Sequence, residues 1–241
     1  MSSQAHIGAN RTGLMASPQD AKRLLEADAA LESVVTGDME DFIEIKVQAI
    51  EDADPLGSVP PPASIKGVVK TGVKLISGSK PSVFIDKLAE RAAYERGGTR
   101  LYDALIVKFQ SSGDAGSGAT LPRLIEIRAD ELAHYHLVVD AIRSLGGDPT
   151  AQTPSADIVG VETAGLMQVL NDPRTTFGDC LNAMLIAELT DVDAWSLLAQ
   201  LADDIGEDKL AARFRDALLH ENHHLQDVRQ WYQSSVRELQ G

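Results

Sequence analysis

Four stretches of this chain repeat apolar residues at helical spacing, and each carries one glutamate inside its apolar stripe. They run from Ser82 to about Ser111, Leu121 to Leu145, Thr176 to Asp204 and Asp208 to about Leu239. Residues three, four and seven apart share one side of a helix. Glu95 therefore lies with Phe84, Leu88, Ala92, Tyr102, Leu105 and Ile106, and Glu131 with Leu124, Ile127, Val138 and Ile142. Glu188 lies with Leu181, Met184, Leu185, Val192 and Trp195, and Glu221 with Phe214, Ala217, Leu218, Leu225 and Val228. Glu90, near Glu95 in the chain, is turned about 140° round the helix and is expected to face water.

A buried carboxylate without a partner is costly and either becomes neutral or finds a cation. One such residue can be satisfied within a core. Four in one bundle call for positive charge, which a pair of divalent metal ions supplies. Two histidines sharpen this reading, because Glu131-Leu-Ala-His134 and Glu221-Asn-His-His224 each place an imidazole one turn beyond an inward carboxylate. Glu131 follows Glu95 by 36 residues and Glu221 follows Glu188 by 33, so one hairpin is used twice. The expected metal ligands are Glu95, Glu131, His134, Glu188, Glu221 and His224, a mixed carboxylate and imidazole set suited to iron or manganese.

The breakers between the stretches predict the topology. Gly113 to Gly118, Gly146 to Pro149 and Ile205-Gly206 interrupt the pattern. Residues 150–175 form a longer connection, with a short helix expected from Glu162 to Leu170. Short connections make neighbouring helices antiparallel, and the long one can run the length of a bundle. The expected fold is all-α: an antiparallel four-helix bundle over residues 81–241 with one long crossover. Residues 1–80 form an N-terminal extension with short helices. In it, a helix is expected from Pro18 to about Val35, and residues 41–47 read equally as strand or helix. Gly57 to Pro62 reads as a stiff linker. Ile65 to Ile76 reads as a basic amphipathic helix, its Lys66, Lys70 and Lys74 forming either a docking face or a solvated one.

Charge narrows the partners. A formal net charge of −14 argues against a nucleic-acid backbone or an anionic membrane. Cys180 is the only cysteine, so no intrachain disulfide or thiolate-rich site is available. Residues Met1 to Gly8 lack the apolar run of a signal peptide, and no apolar run approaches bilayer length, so the cytoplasm is the expected location.

Residues 82–238 resemble the ferritin-like superfamily, in particular its rubrerythrin and bacterioferritin branches. Two helices giving Glu and two giving Glu-x-x-His is that superfamily's di-metal arrangement. Glu95-Arg-Gly-Gly-Thr-Arg-Leu-Tyr102 is similar to the family's Glu followed seven residues later by Tyr. The resemblance implies that Glu131 and Glu221 bridge two iron ions, with manganese as the alternative. Glu95 and Glu188 would be terminal ligands, His134 and His224 would serve one ion each, and Tyr102 would be a supporting or redox-active group. It implies a di-iron oxidoreductase of ferroxidase or peroxidase type that reacts with O2 or peroxide, with a separate electron donor and a homo-oligomeric state. An iron-storage cage subunit, a manganese catalase-like enzyme and a non-catalytic assembly protein stabilised by metal are the alternatives.

The chain also departs from that family. The four-cysteine rubredoxin-like module of rubrerythrins is missing, and the complete Glu221-x-x-His224 weakens the manganese catalase reading, where that motif keeps only His. Asp191, one turn after Glu188, is either an extra ligand or a solvated residue. Gly98 either leaves space above the metals or allows close helix packing. Arg128 either pairs with a ligand carboxylate or forms a surface salt bridge. His136, His220 and His223 point away from the ligand face.

Overall fold

The computed structural model describes residues 18–30, 39–60 and 81–240. Among these, every regular element is a helix: α1 (Pro18–Ala30), α2 (Met39–Glu51), α3 (Pro81–Ser112), α4 (Leu121–Ser144), α5 (Pro154–Glu162), α6 (Ala164–Asn171), α7 (Phe177–Asp204) and α8 (Asp208–Glu238). The ambiguous stretch 41–47 is thus helical, within α2. The expected basic helix from Ile65 to Ile76 lies outside the described residues, as does the end of the first helix near Val35. The long connection holds two short helices, α5 and α6, where one was expected.

The chain divides into two units, Met1–Asp54 and Pro55–Gly241. In the first, α2 exposes its apolar side chains, Phe42, Ile43, Ile45, Val47 and Ile50. In the second, Val59 packs against the apolar core, so this part of the linker belongs with the long helices.

Four long helices form a closed ring of contacts: α3 packs on α4, α4 on α8, α8 on α7 and α7 on α3. Each neighbouring pair is antiparallel. Along α3 and α7, Phe109 meets Phe177 while Glu95 meets Trp195. Along α4 and α8, Arg123 meets Asp227 while His134 meets Glu221. Asp86, near the start of α3, accepts hydrogen bonds from the Ser155 amide (3.0 Å) and hydroxyl (2.7 Å). Lys108, near its end, donates to the carbonyls of Asp172 and Thr175. The crossover therefore follows α3 for 22 residues, about 33 Å at 1.5 Å per residue.

Local signals set the helix ends. Gly146 (φ 88°) and Gly206 (φ 70°) adopt left-handed backbone just after α4 and α7, where L side chains are strained. At the start of α7, the Thr176 hydroxyl accepts from the Asp179 amide, and the Asp179 carboxylate accepts from the Thr176 amide (2.8 Å). Two free amides of the helix end are satisfied reciprocally.

The core is split along the helix axes. One apolar cluster holds Phe84, Leu88, Val138, Ile142, Trp195 and Phe214. The other holds Leu101, Leu105, Ile127, Phe177, Met184 and Val228. Between them lies a buried polar layer.

Thr176→Ala removes one half of the cap and should cost about 1 kcal/mol. Urea unfolding should show a lower midpoint at an unchanged slope.

Candidate metal centre

The helical period brings one carboxylate from each long helix to mid-length, with the two histidines beside them. Glu95, Glu131, His134, Glu188, Glu221 and His224 are all at most 4% exposed. Their ligand-type atoms form two groups that could hold a metal ion: Glu95, Glu131, His134 and Glu221 in one, and Glu131, Glu188, Glu221 and His224 in the other. Within each group the atoms lie within 4.8 Å of one another. Glu131 and Glu221 belong to both. All six expected ligands are brought together, whereas Glu90 turns outward to pair with Lys87.

Both imidazoles aim Nδ1 at the carboxylates. His134 Nδ1 is 2.6 Å from Glu221 Oε1, and His224 Nδ1 is 3.1 Å from Glu221 Oε2 and 3.6 Å from Glu131 Oε1. On its other side, His224 Nε2 meets Asp130 Oδ2 at 3.2 Å. A carboxylate on the far nitrogen fixes ring orientation and raises ligand basicity. Tyr102, fully buried, donates its hydroxyl hydrogen bond to Glu188 Oε1. Glu95 Oε1 accepts from the Trp195 indole at 2.8 Å and pairs with Arg91 Nε at 3.1 Å.

Arg91 is 2% exposed and joins Glu95 to Asp191, whose Oδ1 lies 2.7 Å from its Nη2. Asp191 is therefore neither solvated nor within the two candidate metal groups. Arg128 lies on the surface against Asp103 (2.9 Å). His136 and His223 are exposed. His220 is exposed too, and its ring stacks on His134 with centroids 5.6 Å apart. The space beside Gly98 is filled: a Cβ there would run into the Glu131 carboxylate. Close packing explains this glycine, with a carboxylate rather than a helix backbone as the neighbour.

The residues missed in the sequence were Arg91 and Asp130. Arg91 precedes Glu95 by four residues and so shares its face, which was a usable signal. Asp130 reaches the site from the edge of α4, where helical facing alone does not select it.

The protonation states show what the site lacks. Burial pushes Glu95 well above the usual carboxylate range; Arg91 opposes this, and the neighbouring carboxylates reinforce it. Burial, with Glu131 and Glu221, raises Glu188 in the same way. Burial raises Asp191 against the pull of Arg91, and raises Glu131 together with Glu221. Glu221 is the exception: burial is outweighed by His134 and His224, which hold it at about 2. For His224, burial is outweighed by Asp130, Glu131 and Glu221, which push it up to about 12. Glu95 Oε2, both Glu131 oxygens and Glu188 Oε2 remain without a hydrogen bond, as does His134 Nε2. With every carboxylate ionised and both imidazoles neutral, five buried carboxylates against one buried guanidinium would carry four net negative charges, the charge that two divalent cations balance. The donor set and its unpaired atoms thus fit a metal centre. Comparison with protein-family models, with curated proteins and with solved structures finds no match.

A pH dependence follows for metal-free protein. The raised carboxylates hold their protons to higher pH in the folded state than in the unfolded one, so stability falls as pH rises from the unfolded carboxylate value toward the folded one. His224, protonated up to about 12, contributes stability that is lost as pH rises above the unfolded value of 6.5. The Glu221 contribution is lost only on acidification toward about 2. From pH 5 to 9, both active effects have one sign. The melting temperature of metal-free protein should fall across that range, by roughly 3 °C per pH unit for each responding group. Added Fe(II) or Mn(II) should abolish the fall.

Proposed function

We propose that this chain is a ferritin-like four-helix-bundle protein whose centre holds two iron ions and reacts with O2 or peroxide. The observation that carries the reading is the overlap of two candidate metal groups through Glu131 and Glu221. Shared carboxylates hold two cations close together, and each cation keeps its own terminal carboxylate and imidazole. Glu95 and His134 would serve one ion, and Glu188 and His224 the other. Manganese suits the same donors.

Iron held there would supply two electrons per pair to O2 or peroxide, restored by a separate donor. The chain's own groups prepare the site. The Trp195 indole and Arg91 hold Glu95 in place. The Tyr102 hydroxyl restrains Glu188 and leaves the other oxygen, Oε2, without a partner. Asp130 orients His224 and can keep a proton on its Nε2, so that Nδ1, once deprotonated, would offer its lone pair to a metal. Ligand atoms must lose protons to bind metal, so loading should release protons. The apolar clusters above and below the layer exclude bulk water from it. We further place the protein in the cytoplasm as a homo-oligomer.

Metal analysis of the purified chain beside Glu131→Ala and Glu221→Ala tests the site. About two metals per chain are expected in the parent, and a large loss in either variant. Full occupancy in both variants would exclude the shared-carboxylate centre. The chemistry is tested by exposing the anaerobic Fe(II)-loaded protein to O2 and then to peroxide. Oxidation faster than that of free Fe(II) is expected, and no oxidation by either would reject the oxidoreductase reading. A particle of cage size would turn the reading toward storage.

A further inference from the structure

The outward side of α3 carries a second feature. Its residues Ala89, Ala93 and Gly97 face Ala156 and Gly160 of α5 and Ala164 of α6, and together they line a cavity of about 500 Å³. That volume lies within the ~300–1,000 Å³ range of small-molecule sites. Side chains this small leave open space between α3 and the crossover helices. A Cβ on Gly97 or Gly160 would meet nothing within 4 Å. Leu101, 1% exposed, and the half-buried Met167 contribute apolar wall.

Polar groups without a partner among the described residues gather at this cavity. Arg96 and Arg100, one turn apart on α3, both line it and are exposed. Neither makes an ion pair among the described residues, although the chain carries 36 acidic residues against 22 basic ones. The Arg91, Arg123 and Arg128 side chains all have carboxylate partners. Tyr135 of α4 adds a hydroxyl, and Gln152 an amide, that are likewise without hydrogen bonds among the described residues.

We infer that this cavity binds a small organic carboxylate with an apolar body, its head group held by Arg96 and Arg100 and its tail lying over Gly97 against Leu101 and Met167. Paired guanidiniums match a carboxylate through parallel hydrogen bonds. The alanine and glycine walls accept a chain of methylenes, whose burial contributes roughly in proportion to area. Glu95 and Gly98, the residues that meet the metal centre, lie on the other side of the same helix turn. The inference stands apart from the metal reading and is tested without metal.

Octanoate is the probe, with octanol and inorganic phosphate as comparisons, titrated calorimetrically into the full metal-free chain. One octanoate per chain is expected, bound at least about tenfold more tightly than octanol or phosphate. The double variant Arg96→Ala/Arg100→Ala should weaken octanoate binding at least about tenfold and leave octanol unchanged. Gly97→Leu should fill the cavity and abolish binding. It should not lower the melting temperature, because it replaces a mid-helix glycine facing open space. Octanoate binding that survives Gly97→Leu would overturn the inference. So would equal binding of octanol, which would remove the arginines' role, or equal binding of phosphate, which would remove the apolar wall's role.

Discussion

The structure turns on placing five carboxylates in a space that holds one guanidinium. Glu95, Glu131, Glu188, Asp191 and Glu221 are each at most 2% exposed, and Arg91 is the buried arginine among them. In a medium of low polarity such an excess of like charge cannot all stay ionised. The chain can answer in two ways. It can keep protons on some of these groups, the direction in which burial pushes Glu95, Glu188 and Asp191, or it can exchange those protons for cations. Hydrophobic burial at both ends of the bundle secures the helices and lets the middle remain electrostatically unsatisfied. Such a layer costs stability as long as no cation offsets its charge.

Several neighbouring features make sense only under that constraint. Gly98 weakens a helix interior by roughly 1 kcal/mol relative to alanine, yet a Cβ there would displace the Glu131 carboxylate. Trp195 uses its one donor on Glu95, fixing that side chain while packing on Phe214 at 5.5 Å between centroids. Tyr102 is fully buried, and its hydroxyl is satisfied by Glu188. Arg91 stacks over Tyr94 with its guanidinium carbon 4.2 Å from the ring centroid, which holds the cation where it meets Glu95 and Asp191. Trp195, Tyr102 and Arg91 each spend a polar group on a carboxylate oxygen, and the opposite oxygens of Glu95 and Glu188 are left without a hydrogen bond.

Much of this was legible because a helix converts sequence spacing directly into facing. Glu95 and Glu90 separate cleanly by angle, and the structure buries the first and turns the second toward Lys87. The long helices start and stop within a few residues of the predicted bounds, since Gly113, Gly146 and Gly206 mark their ends. What stayed illegible depends on distances between helices. Facing could not tell whether Asp191 meets solvent or a partner, because that partner, Arg91, lies on another helix. Asp130 escaped for the same reason, since only the approach of α8 brings His224 to it. The split of the crossover into α5 and α6 was hidden by its weak periodicity, and contacts with α3 decide it.

The paired glycines show how one turn of α3 serves two surfaces. Gly97 and Gly98 are adjacent, so they point about 100° apart round the helix. Gly98 faces inward, where the Glu131 carboxylate fills its place; Gly97 faces outward, where nothing lies within 4 Å. A single bulky residue at either position would be read differently: inside, it would displace a carboxylate of the polar layer, and outside, it would fill the cavity beside Arg96 and Arg100. One peptide unit of α3 joins the two positions. Glu95 stands on the same turn of α3 as both glycines, so the carboxylate layer and the cavity are built from one short stretch of sequence.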